Sequence, residues 1–199
     1  MMFSKIISYF AKKPWALKFS AKWICAWSNY MQSLEWKYMK CDTALLKHYR
    51  ADYKASTPFD SWHKYTLHVE YKKDAWWQLW DVISCPARII TRSNADCDDY
   101  AILAHDFFGE TIYSGGNIYN FVGLYSLVWA LPPYHMIAVW LGPKGEHLVV
   151  SNQSIQKFNN EKEMLDFMGQ VFEDKIHHIN VLNLDDNNQL YFSMLKEIK

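Results

Sequence analysis

The chain has 199 residues, half of them apolar, which suffices for one domain with a core or for a domain with a long arm. Its 21 basic and 21 acidic residues balance, so composition gives no sign of a nucleic-acid-binding surface. No apolar run reaches the length of a membrane-spanning helix and no secretory signal is evident, which together predict a cytoplasmic protein with reduced thiols. No two cysteines have the spacing of a zinc site, so neither a metal nor a cofactor is expected; the cysteines are Cys25, Cys41, Cys85 and Cys97.

Residues 1–72 are expected to form a helical N-terminal arm or subdomain. This segment contains no glycine and only two prolines, Pro14 and Pro58, so the chain can run as helix between them. Residues 73–199 are expected to form the catalytic domain, and the two parts could also fold as one compact unit.

Within the arm, four large aromatic residues recur at steps of four and predict one face of a helix: Trp15, Phe19, Trp23 and Trp27. We expect this face to pack against the rest of the protein, because an exposed apolar patch of that size is rare on soluble monomers. Residues 1–40 carry seven lysines and one acid, while residues 161–199 carry eight acids and four lysines. The arm could therefore lie on the acidic part of its own chain. Contact of the basic arm with a membrane is the less favoured alternative.

Further along the chain, aromatic and β-branched segments separated by turn residues predict strands at 117–128, 135–141, 147–150 and 179–184. A helix is predicted over 161–172, and the acidic run before Gln189 is expected to be a loop. Helices first and then a largely antiparallel sheet is an α+β pattern.

The segment around Cys97 is the most informative part of the chain. Ser93, Asn94 and Asp96 are good N-cap residues, and an amphipathic helix of about three turns should follow and end before Gly109. A thiol in the first turn lies at the positive end of the helix dipole, which favours the thiolate. Cys97 is therefore the candidate nucleophile.

His135 is the best-placed partner because it opens a predicted strand. If Leu141 pairs with Glu146 across the following turn, His135 faces Asn152, whose amide could orient the imidazole. A three-residue loop with a glycine bulge would shift the pairing by one and bring Gln153 opposite His135 instead. The sequence leaves the two registers open.

Residues 95–101, Ala-Asp-Cys-Asp-Asp-Tyr-Ala, resemble the signature Gly-Asp-Cys-Asp/Glu-Asp-Tyr/Phe-Ala of bacterial and phage transglutaminase-like cysteine peptidases. The Trp-rich segment 74–78 and Cys85-Pro86 are similar to the family's lead-in, and the resemblance covers about residues 74–155. It implies a papain-like α+β fold and a catalytic triad of Cys97, His135 and Asn152. Candidates for the second oxyanion-hole donor are, by residue type and by the resemblance, Trp76, Trp77 and Gln78.

The predicted function is thus a thiol protease or amidase that hydrolyses amide, peptide or isopeptide bonds of a protein or peptide substrate through an acyl-enzyme. Transfer of the acyl group to an amine, as in a transglutaminase, would use the same residues. The alternatives from other classes are a non-catalytic binding module that keeps the fold and a membrane-surface protein.

Overall fold

The computed structural model describes residues 13–39, 57–72, 84–128, 134–171, 176–184 and 190–198. In these ranges the helices are α1 (Pro14–Met39), α2 (Pro58–Thr66), α3 (Pro86–Arg92), α4 (Cys97–Phe108) and α5 (Glu161–Val171). The strands are β1 (Glu70–Tyr71), β2 (Asn94–Ala95), β3 (Thr111–Ser114), β4 (Asn117–Val128), β5 (Tyr134–Leu141), β6 (His147–Ser151), β7 (Ser154–Phe158), β8 (His178–Leu184) and β9 (Leu190–Glu197).

A seven-stranded sheet forms the centre of the fold. Its strands follow the order β7-β6-β5-β4-β8-β9, with β3 also paired to β4, and every pair in it is antiparallel. The turn from β3 to β4 consists of Gly115 and Gly116, both with positive φ, as a two-residue hairpin turn requires. A short parallel pair, β1 with β2, lies apart from this sheet. The α+β pattern with a mostly antiparallel sheet is therefore confirmed.

The two faces of the sheet carry separate cores. Along β5 the side chains alternate, so that Met136, Ala138 and Trp140 join the cluster that includes α4. Ile137 and Val139 belong to the other cluster, which includes Met164, Leu165 and Met168 of α5. Helix α4 therefore covers one face of the sheet and α5 covers the other.

The predicted elements correspond closely to the observed ones. Strand β4 has the predicted bounds, and β5, β6 and β8 differ from prediction by one residue at one end. Helix α5 follows the prediction from Glu161 to Val171, where the described residues end. Three strands of the sheet were not predicted, namely β3, β7 and β9, and neither was the short helix α3, while α2 lies in the segment expected to be helical. The loop expected before Gln189 lies outside the described residues.

Helix α1 packs against β9 and β8, as expected for an arm that lies on its own chain, but it uses a different face from the predicted one. Among the described side chains of α1, the buried ones are also spaced by four, and they are Leu17, Ala21 and Cys25. The predicted stripe is exposed instead, to 62% at Trp15, 67% at Phe19 and 52% at Trp23. The prediction that this stripe is buried is therefore wrong for these three residues, and the side chain of Trp27 lies outside the described set. Small residues such as Ala21 let the helix approach the sheet closely, which bulky tryptophans would prevent.

Asn29 fixes the position of α1 by bonding to both backbone groups of Leu190 in β9. Its Nδ2 donates to the carbonyl oxygen of Leu190 at 2.8 Å, and the Leu190 N–H donates to Oδ1 at 2.8 Å. Asn29→Leu leaves both backbone groups without this partner, so we expect it to lower the free energy of unfolding by about 2 kcal/mol. Asn29→Asp keeps the acceptor and loses the donor, so it should lower the free energy of unfolding by about half as much. Urea unfolding measures both changes. Equal stability of wild type and Asn29→Leu would show that these two hydrogen bonds contribute nothing to stability.

Contacts also cross the boundary placed at residue 72. Strand β1 pairs with β2, and Trp62 of α2 is fully buried in the cluster that contains α4. The division into 1–72 and 73–199 stays a prediction. Within the described part of the chain, no helix combines the length and the apolar character needed to cross a membrane.

Candidate functional site

Helix α4 begins at Cys97, as the cap residues before it predict. Asp96 is the N-cap, with extended backbone, and its side chain accepts from the N–H of Asp99 at 3.4 Å. The helix ends at Phe108, and Gly109 follows with φ of +70°. The backbone N–H groups of the first turn have no acceptors within the helix, so an anion beside Cys97 would be stabilised there.

An ion pair and a backbone hydrogen bond hold the first turn of α4 in place. The carboxylate of Asp99 is 3% exposed, pairs with Arg92 and accepts from the N–H of Ser84 at 2.9 Å. Arg92 also donates to the carbonyl oxygen of Asn94 at 2.8 Å and to Ser84 Oγ at 3.0 Å. Because Arg92 compensates this charge, Asp99 opposes ionisation of the thiol less than the bare sequence suggests.

The cysteines differ sharply in environment. Cys97 is a reduced, partly exposed thiol that packs beside the α4 cluster. Cys25 is also reduced, but it is buried in α1, and burial raises its pKa to about 11. Cys85 takes part in a disulfide bond with a partner outside the described residues, so the expectation of four reduced thiols is wrong for Cys85. Among the described reduced thiols, Cys97 is the one placed for chemistry.

His135 lies at the same end of the sheet as Cys97. Trp140 Nε1 donates to the carbonyl oxygen of Gly109 at 3.0 Å, which places the C-terminal end of α4 over the far end of β5. Helix α4 packs along β5, and its 12 residues span about 18 Å. Its first turn therefore lies near the start of β5, where His135 is.

The ring of His135, however, points to the other face of the sheet. The ladder between β4 and β5 is regular here and pairs His135 with Leu127, which belongs to the α5 cluster, as does Ile137 two residues on. Cys97 belongs to the α4 cluster. The alternation along β5 therefore argues against the predicted contact between the sulfur of Cys97 and the ring of His135, and the contact stays a prediction.

His135 is deeply buried and bonded to Ser151. Its Nε2 lies 2.9 Å from Ser151 Oγ, and the residue is 5% exposed. Burial lowers the pKa of His135 to about 4, so the imidazole is neutral at neutral pH. Sequence reasoning missed Ser151, although its position one residue before Asn152 on a paired strand is a signal that it could reach His135.

The register between β5 and β6 is the alternative one. Leu141 pairs with His147 and Ala138 with Val150, so the pairing of Leu141 with Glu146 is wrong by one residue. The five residues 142–146 form the loop, with Gly145 at φ of +84°. The extrapolated partner of His135 is Gln153, not Asn152.

Asn152 occupies a hairpin turn between β6 and β7. Its φ of +51° is in the left-handed region, which asparagine tolerates better than most residues. Its backbone oxygen accepts from Trp62 Nε1 at 3.2 Å, while its buried side-chain oxygen has no hydrogen-bond partner in the structure. The predicted bond from this oxygen to His135 is thus not formed.

Gln153 does not orient His135 either. Its Nε2 lies within hydrogen-bond distance of the carbonyl oxygens of Val69 and Thr66, at 2.8 and 3.1 Å, and of the hydroxyl of Tyr100 at 3.2 Å. Tyr100 is one turn from Cys97, and its hydroxyl donates to the Val69 carbonyl oxygen at 2.6 Å. The turn at 152–153 is therefore anchored to the same helix that carries the thiol.

Two buried polar residues, Ser126 and Asn180, lie on the face of the sheet that carries Cys97. They pair with each other across β4 and β8, in the row of Met136, which belongs to the α4 cluster. Asn180 is 5% exposed, and its side-chain oxygen has no hydrogen-bond partner in the structure. Nothing in the local sequence of either residue marked it as part of a site.

The candidates for the second oxyanion-hole donor, Trp76, Trp77 and Gln78, lie outside the described residues. Within the described ranges, no group of three or more His, Cys, Asp and Glu side chains is arranged to hold a metal ion.

The low pKa of His135 should make stability depend on pH. The unfolded chain binds a proton near pH 6.5 and the folded chain near pH 4, so the unfolded state holds more protons between these values. Stability should be fully present above pH 6.5 and fall by about 3 kcal/mol as pH drops to 4. His135→Gln removes the contribution of this imidazole to the pH dependence. The free energy of unfolding in urea should therefore change less steeply with pH for the variant. Equal slopes for wild type and variant would show that His135 does not cause the pH dependence.

Comparison of the chain with protein families, with curated proteins and with solved structures finds no match.

Proposed function

We propose that the protein is a thiol-dependent hydrolase of amide bonds in which Cys97 is the nucleophile. The observation that carries the proposal is a reduced, partly exposed thiol at the first residue of a capped 12-residue helix. The helix N-terminus favours the thiolate and offers backbone N–H groups to the oxyanion that forms when sulfur attacks a carbonyl. The resemblance of residues 95–101 to transglutaminase-like cysteine peptidases agrees with this assignment and suggests a papain-like variant of the α+β fold.

In the proposed reaction the Cys97 thiolate attacks the carbonyl carbon of a peptide or isopeptide bond. The proton of the thiol passes through the base to the leaving amine, and water then hydrolyses the thioester. An amine that replaces water would give transglutaminase chemistry at the same residue. The resemblance assigns the base to His135 and the orienting amide to Asn152.

The position of His135 supports its proposed role less well than the position of Cys97 does. Its ring is neutral and able to accept a proton, but it is bonded to Ser151 on the far face of the sheet. The assignment of His135 as the base therefore rests on the resemblance, whereas the observations at Cys97 do not depend on it. The same holds for Asn152 as the orienting amide, since its side-chain oxygen has no hydrogen-bond partner in the structure.

A non-catalytic module that keeps the fold is the second candidate, and the orientation of His135 favours it. In that case Ser151 and His135 form a structural pair, and Cys97 is an ordinary helix-terminal thiol. The cytoplasmic location predicted from the sequence belongs to the proposal as well, although the disulfide of Cys85 is more typical of oxidising compartments.

Limited labelling with iodoacetamide at neutral pH, mapped by mass spectrometry, separates the two candidates. The hydrolase requires fast modification of Cys97 and almost none of Cys25, whose thiol is buried. If Cys97 reacts no faster than free cysteine in a peptide, the thiol is not activated and the binding module is the better account.

A further inference from the structure

The exposed face of α1 carries large aromatic side chains. Trp15, Phe19 and Trp23 are more than half exposed, and Tyr30 is 55% exposed on the same side, since its position differs from that of Phe19 by three turns. The buried residues Leu17, Ala21 and Cys25 lie roughly opposite on the helix wheel. We call this set of Trp15, Phe19, Trp23 and Tyr30 the aromatic face.

Lysines flank the aromatic face. Lys18 and Lys22 are exposed and lie between the aromatic face and the docked face of the helix. Residues 13–34 contain three lysines and no acidic residue. Up to Tyr30, the exposed surface of α1 therefore combines apolar area with positive charge, and Glu35 is the acidic residue further along the helix.

The orientation of the aromatic face is fixed by the other side of the helix. Asn29 bonds to both backbone groups of Leu190, and the small residues Ala21 and Cys25 pack into the core of the domain. The helix is thus held along the body of the protein with its aromatic face outward.

From this geometry we propose that α1 is a docking surface for an anionic lipid bilayer. Aromatic rings beside lysines are the pattern of helices that lie in the plane of a membrane interface, with the rings among the acyl chains and the ammonium groups at the lipid phosphates. The helix does not have the apolar length to cross a membrane, so it would lie on the surface. A second copy of the chain is disfavoured as the occupant because it would bring two basic surfaces together. The inference does not depend on the thiol chemistry.

Co-sedimentation of the full chain with vesicles tests the proposal. We expect binding to phosphatidylglycerol–phosphatidylcholine vesicles, at least about 10-fold weaker binding to pure phosphatidylcholine, and weakening by added salt. The variant Phe19→Gln/Trp23→Gln should bind the anionic vesicles at least about 30-fold more weakly, and Lys18→Gln/Lys22→Gln about 30-fold more weakly.

A matched control changes two exposed apolar residues of another surface, Tyr113→Gln/Ile118→Gln on the β3–β4 hairpin. This control should bind vesicles as the wild type does, and circular dichroism with thermal melting verifies that all variants are folded. Absence of wild-type binding to anionic vesicles overturns the proposal. So does equal binding by Phe19→Gln/Trp23→Gln, or a wild-type dimer in sedimentation equilibrium that this variant abolishes, since the face would then be a protein interface.

Discussion

Replacing Cys97 with serine is expected to abolish amide hydrolysis by this protein, with a loss of at least about 10³-fold in kcat. Serine keeps the size and the cap geometry at the start of α4, but its hydroxyl does not ionise at neutral pH as a thiol can. The measurement is release of a fluorophore or a mass change across a panel of peptide and isopeptide substrates, with wild type and variant at equal concentration.

Cys25→Ser is the matched control because Cys25 is the other described reduced thiol and is buried, with a pKa raised to about 11. This variant should hydrolyse the same substrates at the wild-type rate, although burial of a hydroxyl can cost some stability. A Cys97→Ser protein that retains activity would show that the reaction does not use this thiol.

The second large effect is expected from Arg92→Ala. This change leaves the buried carboxylate of Asp99 without its cation, and removing one partner of a buried pair is strongly destabilising. We expect the free energy of unfolding to fall by about 3 kcal/mol, since Arg92 is itself 30% exposed and the pair is partly solvated. Urea unfolding at neutral pH measures the loss.

The exposed pair of Lys162 and Asp166 in α5 provides the comparison. Its side chains are 83% and 58% exposed, so Lys162→Ala should change stability by less than about 0.5 kcal/mol. The double variant Arg92→Ala/Asp99→Asn should recover part of the loss, because it removes the orphaned charge. No recovery would mean that Arg92 acts through packing and its other hydrogen bonds.

Local signals in the sequence predicted the local structure well. Helix α4 starts after Asp96 and ends before Gly109, as predicted. A capping side chain and a residue with positive φ determine where a helix starts and stops, whatever the tertiary contacts. The four predicted strands and α5 were likewise visible from their own composition.

Features that depend on other parts of the chain were predicted less well. Both the aromatic residues and the buried residues of α1 recur at steps of four, so spacing alone does not show which face is buried. The close approach of α1 to β9 and the hydrogen bonds of Asn29 determine that face. The sequence also did not indicate on which face of the sheet His135 lies. Strand β5 is buried on both sides, so it shows no alternation of polar and apolar residues. The one-residue error in register followed from the length of the 142–146 loop.

The pH dependence of Cys97 alkylation shows whether this thiol is an activated nucleophile. Rates of iodoacetamide modification at Cys97, measured by mass spectrometry from pH 5 to 10, give the pKa of this thiol in the wild type and in His135→Ala. We expect a half-maximal rate below pH 7 in the wild type, well under the ordinary thiol pKa of about 8.5. A Cys97 thiol that titrates at or above that ordinary value would contradict the assignment of Cys97 as an activated nucleophile, whereas a low value unchanged in His135→Ala would retain the nucleophile and remove His135 as its base.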